Sequence, residues 1–491
     1  MVVGTLEISN SKARITGLPD HALRLLRFEL SYLVGEAGTR VTTAKDGTMH
    51  ARHWDGWTQL LSPTGLMPAG LVPRALRLLH KWGYPVQLRD LRIRPDEEMP
   101  RWCLPAGFRL RDYQDRAVRT VLGPGRGVID SPPRSGKTVI IAELVRQLSL
   151  PTVITAPTEA IASQTYDKLV ELFRENEWGG GRKDCSEDFF LLTGGLPKSN
   201  ADRRACQRAL VYVATDGTAV SMDPSWWERI RVWISDERHH QASRTHRKLN
   251  DLAVNAYYRF GFTGTNFRSS EGEHVALEAP LGRTLVQYSV QEMRDRGVLV
   301  PARVEFWPIY RPRMRTIAFR DAYTHGIVND KIRNAAIVYA AQKYREEGRR
   351  VLILVNQINH GELLRDAIAG SQFVKGVDGD EVRAAVKRLD AGDLRVLIGS
   401  PVVGEGLDCP SADALIYAKG YKARVTHTQD MFRVLTADGR KQDAIILDFA
   451  DRHNAHLEDH AVARAQNYLA MGLPCTVLPE LPTLDGLVEL V

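Results

Sequence analysis

From about residue 108 the chain alternates short apolar runs with longer amphipathic stretches. Strand-length apolar runs fall at Gly127–Asp130, Thr152–Ala156, Leu210–Thr215, Val232–Ser235 and Arg259–Thr263, with helix-like stretches between most of them. That alternation predicts a parallel sheet covered on both faces. A second series follows at Val351–Val355, Val396–Ser400, Ala414–Ala418 and Ala444–Phe449, interleaved with helical stretches such as Gly361–Ala369 and Asp380–Leu389. The expected fold is therefore α/β, with two similar parallel-sheet lobes in tandem.

Residues 1–105 break this pattern and read as a small, separate α+β domain. Leu71–Trp82 has the apolar spacing of an amphipathic helix, which Gly83-Tyr84-Pro85 stops. The segment holds Trp54, Trp57, Trp82 and Trp102, four of the nine tryptophans. Its fourteen lysines and arginines against ten acids supply four of the chain's seven net positive charges. Aromatics among basic residues suit a nucleic-acid surface, and core tryptophans are the plain alternative. Val300–Ile327 is rich in arginine and proline without clear period. It reads as an interlobe linker whose Arg311, Arg313, Arg315 and Arg320 either touch backbone phosphate or form a solvated basic loop. The expected organisation is 1–105 accessory and DNA-binding, 106–305 first lobe, 306–345 linker and 346–491 second lobe.

Composition narrows the class further. A chain of 491 residues, 44% hydrophobic and 25% charged, has core enough for two or three domains. No run approaches the roughly 20 apolar residues of a membrane span, and the N-terminus lacks the basic start and apolar core of a signal peptide. The five cysteines include no Cys-x-x-Cys pair, which argues against a zinc or iron–sulfur site and for a reducing cytoplasm. A pI of about 9.1 fits a polyanionic partner but selects weakly for one.

Two short stretches carry the chemistry. Ser131–Thr138 (SPPRSGKT) lies between an apolar run and a helix-like one, the setting a phosphate loop requires. Backbone N–H groups at a helix N-terminus would cradle phosphate, Lys137 would reach the terminal phosphates and Thr138 would bind Mg²⁺. Asp236–His239 (DERH) ends the run Arg231–Ser235. There Asp236 would hold the metal, and Glu237 would orient or deprotonate a water. A Gly-Lys-Thr tripeptide alone is common, as is a solvated Asp-Glu pair. Their order, spacing and flanking strands together point to nucleoside triphosphate binding and hydrolysis.

These motifs in this order resemble a superfamily 2 DExH-box helicase or translocase over roughly residues 108–450. Phe108–Gln114 is similar to the family's adenine-reading segment, Ser131–Thr138 to motif I and Thr155–Thr158 to motif Ia. Gly194-Gly195 and Val213–Thr215 resemble its later strand-contacting motifs, and Phe262–Thr265 resembles motif III. Leu354–Asn356, Ile398–Asp408 and Gln429–Arg433 resemble motifs IV, V and VI. In the N-terminal segment, Trp54–Trp57, Thr64–Pro68 and Gly70–Arg74 look like the domain preceding the helicase core in phage enzymes of the UvsW type. Arg294–Pro301, Gly326–Asn329 and Arg333-Asn334 also resemble that group, which is similar to RecG and XPB in remodelling branched or duplex DNA.

The resemblance implies two RecA-like lobes that close on ATP and Mg²⁺. Arg111, Gln114, Ser135, Gly136, Lys137, Thr138 and Asp236 would serve the nucleotide and metal from the first lobe. Gly406 and Asp408 would contact ribose or base from the second, while Gln429 and Arg433 face the γ-phosphate. Glu237 would be the general base, with His239, Thr263 and Thr265 coupling hydrolysis to closure. Pro157, Thr158, Gly195, Thr215, Asn356 and Ser400 would meet nucleic-acid backbone, although each serine or threonine suits a cap or turn equally well. The implied partner is single-stranded, duplex or branched DNA, with replication or recombination proteins as further candidates, for a monomer in the cytoplasm (the host's, if phage-encoded). The function implied is an ATP-dependent DNA helicase or translocase. An ATP-gated DNA clamp with little turnover and an RNA helicase are the competing readings.

One departure keeps the clamp open. The family's motif VI usually reads Gln-x-x-Gly-Arg-x-x-Arg, whereas here Phe432 stands for the glycine and Thr436 for the last arginine. Losing an arginine finger costs about 10³–10⁵ in turnover in related enzymes. Either Arg433 suffices, or Arg440 or Lys441 takes over, or hydrolysis is slow.

Overall fold

The computed structural model describes residues 4–33, 38–43, 49–96, 102–105, 107–174, 186–197, 199–236, 244–264, 271–314, 318–375, 379–400, 409–484 and 486–491. The chain divides into two compact units, Met1–Ser131 with Gly136–Gln287 and Pro132–Ser135 with Tyr288–Val491.

The first unit opens with a small α+β region. Its strands are β1 (Gly4–Ile8), β2 (Lys12–Thr16), β3 (Ser31–Leu33), β4 (Gly38–Thr43), β5 (Met49–Trp54), β6 (Trp57–Gln59), β7 (Leu66–Pro68) and β8 (Val86–Asp90). Four of them form a mixed sheet in the order β7-β2-β1-β8, while β3 with β6 and β4 with β5 make antiparallel ribbons. The helix predicted at Leu71–Trp82 spans Val72–Lys81. Pro73 fits its first turn, where no N–H partner is needed, and Gly83, at φ 77°, lets the chain leave it. Its Val72, Ala75 and Leu79 pack with Leu6, Leu26 and Leu61 in a core that also takes in Val275 and Ala279. Those last two belong to the helix Glu271–Leu281, far along the chain. Arg74 clasps Glu278 of that helix with two hydrogen bonds, 2.7 and 3.0 Å. The accessory region thus shares a core with the first α/β lobe.

That lobe holds β9 (Arg126–Asp130), β10 (Thr152–Ala156), β11 (Phe189–Leu192), β12 (Val211–Thr215), β13 (Val232–Ser235), β14 (Tyr258–Thr263) and β15 (Thr284–Gln287). All pair in parallel, in the order β11-β12-β10-β13-β14-β9-β15. Central strands such as β10 and β13 are buried at every residue, which is why they read as continuous apolar runs. Trp102, expected in the accessory domain, is buried against Phe173 and Phe189 of this lobe, and its indole N–H donates to Asp188 at 3.1 Å.

The second unit repeats the plan. Its strands are β16 (Ala302–Ile309), β17 (Val351–Leu354), β18 (Ser371–Val374), β19 (Val396–Gly399), β20 (Ala414–Tyr417), β21 (Ala444–Asp451) and β22 (Cys475–Val477), all parallel, in the order β18-β19-β17-β20-β21-β16-β22. Numbered from each lobe's first strand, both sheets run third, fourth, second, fifth, sixth, first, seventh. The lobes share one topology.

This corrects the reading of 306–345 as a linker. β16 is the second sheet's first strand, paired with β21 along its whole length, and Lys331–Glu346 is a helix with a buried face. Arg303 and Glu305 hide the strand in the sequence, because both charges are used locally. Arg303 pairs with Glu305 and with Asp443, at 3.3 and 3.0 Å. Pro308 is tolerated because β22 covers β16 only from Val304 to Phe306, so Pro308 has a strand on one side alone. Of the linker arginines, Arg311 approaches Asp330 at 3.4 Å and Arg313 approaches Glu458 at 3.5 Å, Arg320 is exposed, and Arg315 lies outside the described residues. Among the described residues no helix is long and apolar enough to cross a membrane.

Candidate functional site

In a parallel sheet the loops that follow the strands gather on one edge, where such folds bind ligands. Ser131 follows β9, and its N–H donates to the Thr263 carbonyl ending β14 at 2.9 Å. The helix Lys137–Leu148 starts after Gly136, which has φ 79° and supplies no side-chain cap. The opening of a helix without a side-chain cap is a common setting for anion binding; here the Val139 N–H turns back onto the Gly136 carbonyl at 3.0 Å. The left-handed φ favours glycine at 136. A Cβ there would lie 2.5 Å from Gln114 Nε2, so the buried Gln114 amide sits directly against the loop. Gln114 is held in turn by the Arg111 N–H, which donates to its Oε1 at 3.0 Å. Lys137 and Thr138 are half-buried in the first turn. Within the loop the Ser135 N–H donates to the Pro132 carbonyl at 3.3 Å, and Arg134 adopts φ 69°, a left-handed conformation that non-glycine residues seldom take.

Asp236 follows β13, is buried, and donates its N–H to the Thr155 carbonyl at 2.8 Å. β13, β14 and β9 are neighbours, with Ser235 opposite Gly261 and Thr263 opposite Asp130. Asp236 and the two ends of the phosphate loop, Ser131 and Gly136, therefore share one edge, with β14 between them. Sequence reasoning missed a buried polar group beside them. His246 lies 3.5 Å from the Ser235 hydroxyl and 3.6 Å from Asp216, linking the ends of β12 and β13; only its place on the amphipathic stretch Arg244–Leu252 hinted at it. Glu237, His239, Thr265, Gly406 and Asp408 lie outside the described residues.

The residues expected to meet nucleic acid also follow strands. Pro157 and Thr158 come after β10, Gly195 after β11, Asn356 after β17 and Ser400 after β19, while Thr215 ends β12. Several hydroxyls have local duties. Thr215 caps the helix Asp216–Ser221 by accepting the Thr218 N–H, and Thr158 accepts the Ile161 N–H at 3.4 Å. Ser400 is buried and donates to the Lys375 carbonyl at 2.9 Å. Gly195 adopts φ 104°, and Asn356 is half-buried after its own strand in the second unit.

Motif VI lies on the helix Arg424–Leu435. Buried Asp430 bridges Lys419 at 2.7 Å and Arg433 at 3.5 Å, and Gln429, one residue earlier, is half-buried. Phe432 is a core side chain, and Thr436 donates its hydroxyl back to the Phe432 carbonyl at 3.3 Å as the helix ends. Lys441 donates to the Pro410, Ala412 and Val434 carbonyls at 2.7, 3.0 and 2.8 Å. Arg440 pairs with Asp438 at 2.7 Å. Of the two substitute cations, Lys441 is thus committed to closing the helix end.

Residues 107–268 match the family described as "Type III restriction enzyme, res subunit". The chain is 22% identical over 457 residues to "ATP-dependent DNA helicase uvsW" of Enterobacteria phage T4, covering 85% of this chain and 88% of that protein. It is 27% identical over 362 residues to "Putative DNA 3'-5' helicase Rad25" of Haloarcula marismortui, covering 70% of this chain and 52% of that protein. Among solved structures, S. cerevisiae Dbp5 bound to RNA and ADP BeF3 superposes with a TM-score of 0.51 at 15% identity, over 74% of this chain and 89% of that one. That likeness speaks to the fold alone. The chain is a protein of two RecA-like lobes preceded by a small α+β region, similar to the UvsW and XPB/Rad25 helicases of superfamily 2.

Proposed function

We propose that this chain is an ATP-dependent DNA helicase or translocase that remodels duplex or branched DNA in the cytoplasm. The observation that carries the reading is the convergence on one sheet edge of an uncapped helix N-terminus at Gly136, the Gln114 amide against it, and buried Asp236. The curated relatives add weight, being named as DNA helicases; neither the clamp nor the RNA helicase finds support among them.

In this reading the N–H groups of the loop and first helical turn hold the phosphates, Lys137 neutralises their outer charge, and Gln114 meets the adenine edge with Arg111 beside it. The hydroxyl of Thr138 and the carboxylate of Asp236 form an all-oxygen donor set of the kind Mg²⁺ prefers, and they would hold it. When bound, Mg²⁺ supplies charge neutralisation on the transferring phosphoryl group. Glu237 would take the proton of the attacking water, and Thr263, tied to Ser131, would sense the loop together with His239 and Thr265. From the second lobe, Gly406 and Asp408 would meet the nucleoside, with Gln429 and Arg433 serving the γ-phosphate. Asp430 holds Arg433, a form of preorganisation that one guanidinium needs where a second is missing. Lys137→Ala should lower turnover by at least about 10²-fold while leaving the unfolding midpoint within experimental error. Wild-type turnover in that variant would remove the loop from the mechanism.

A further inference from the structure

A cleft of about 410 Å³ opens on the accessory region, lined by Arg24, Arg27, Phe28, Asp55, Trp57 and Gln59 among others. It lies between the helix Asp20–Glu29 and the ribbon of β3 and β6. Two large aromatic rings face solvent here: Phe28 is 63% exposed and Trp57 is 39% exposed, with ring centroids 5.7 Å apart and planes at 36°. Other apolar side chains of this region, such as Leu25, Leu33 and Ile93, are exposed too. Phe28 and Trp57, however, lie against each other on the wall of a cleft, and a grouped apolar patch of that kind marks an interaction site. The polar wall is built in place. Arg27 donates to the Leu61 carbonyl at 3.2 Å and to Gln59, and Asp55 accepts the Trp57 N–H at 3.0 Å, fixing the turn that presents the ring. Arg24 lies one helical turn before Phe28, is exposed, and has no ion pair among the described residues.

We propose that this cleft takes one unpaired DNA base and its phosphate, a proposal that rests on the DNA-helicase reading. Stacking on Phe28 and Trp57 would hold the base in a sequence-tolerant way, and Arg24 would meet the phosphate. Asp55 and Gln59 would bond the base edge. The occupant follows from the chemistry. A surface that only tracks phosphates has no use for a carboxylate or for two exposed rings, and bases inside a duplex are stacked on each other and present no face. The two arginines outnumber Asp55, so the cleft remains attractive to a polyanion. The accessory region then holds an unpaired nucleotide where strands separate.

The test uses the full chain. Oligonucleotides carrying 5-iododeoxyuridine, single-stranded or at the unpaired position of a fork, are photo-crosslinked and the adducts mapped by mass spectrometry. Wild type, Phe28→Ala, Trp57→Ala and Arg24→Ala are titrated with single strand, fork and blunt duplex by fluorescence anisotropy. The proposal expects adducts at Phe28 or Trp57, and about ten-fold weaker binding of single strand and fork by each aromatic variant. Blunt-duplex affinity and DNA-free ATPase should stay unchanged. Arg24→Ala should also lower the salt slope for single strand by about 0.7. Since these side chains are exposed, loss of fold does not confuse the result, and the unfolding midpoint checks it. Adducts elsewhere with unchanged affinities would overturn the cleft. Equal losses on blunt duplex would replace it with a phosphate-tracking surface. Wild type that binds no DNA of any form would overturn the helicase reading along with it.

Discussion

Gly70 offers a sharp test of how the accessory region is joined to the first lobe. It sits in the turn Ala69–Leu71 just before the helix Val72–Lys81, at the shared core. A Cβ at this position would lie 2.2 Å from the Glu278 carbonyl oxygen, 2.5 Å from that of Ala279 and 2.8 Å from the Gly282 nitrogen. All three are backbone atoms at the end of the helix Glu271–Leu281, so no change of rotamer makes room. Ordinary contact begins near 3.4 Å, so Gly70→Ala must push the turn back by about 1 Å. Overpacking of this kind costs about 1–3 kcal/mol. A gap of that size also forfeits a quarter to a half of each dispersion contact around it and stretches the Arg74–Glu278 clasp four residues away. We expect a loss of about 3 kcal/mol, read as a lowered urea midpoint by tryptophan fluorescence, with accessory region and first lobe unfolding together. Arg74→Ala should cost less, about 1 kcal/mol, because the pair is partly exposed. A Gly70→Ala protein with the wild-type midpoint would refute the shared core.

Three further outcomes concern the second lobe. Asp430→Ala leaves buried Lys419 uncompensated and Arg433 without its carboxylate, and should cost about 3–5 kcal/mol; a change within 1 kcal/mol in urea would show that the bridge is not felt. Lys441→Met should destabilise by about 2–3 kcal/mol through three stranded carbonyls, whereas unchanged stability with lost turnover would return Lys441 to the catalytic set. Burial pushes the His360 imidazole down to about 3 and that of His427 to about 4. The unfolded chain takes up protons below about pH 6.5 that the folded lobe refuses, so stability is complete above that pH. It should fall toward pH 4 by up to about 1.4 kcal/mol per pH unit for each histidine. His427→Asn should flatten that slope in urea titrations between pH 4 and 6.5, and identical slopes would rule the histidine out.

Much of this architecture is legible in the sequence for a physical reason. Strands buried on both faces, such as Thr152–Ala156 and Val232–Ser235, have no polar alternation to blur them, and their bounds agree with the structure to the residue. β16 is hidden because Arg303 and Glu305 satisfy each other at the sheet's exposed end and Pro308 needs only one partner strand. β15 is an edge strand with only Val286 buried and polar Thr284 and Gln287 at its ends, so it makes no continuous apolar run. The edge strand β11 is a short apolar run, Phe189–Leu192, that periodicity alone does not assign. The phosphate loop is read from its flanks, but the Gln114 amide against Gly136 is a tertiary contact that no spacing encodes. The same is true of Asp430 holding Arg433, whose partner Lys419 lies on another segment. Trp102 shows the converse. Its place among basic residues suggested a surface, yet its ring completes the first lobe's aromatic core.

The central claim is that ATP hydrolysis at the Gly136–Asp236 edge is driven by DNA. Steady-state ATPase should be measured without nucleic acid and with single-stranded DNA, duplex, a four-way junction and matched RNA, for wild type and Lys137→Ala. The account predicts stimulation by DNA, strongest with the junction, weak response to RNA and no stimulated turnover in Lys137→Ala. Near-zero turnover with every DNA, despite tight ATP-dependent binding, would contradict it and leave a clamp.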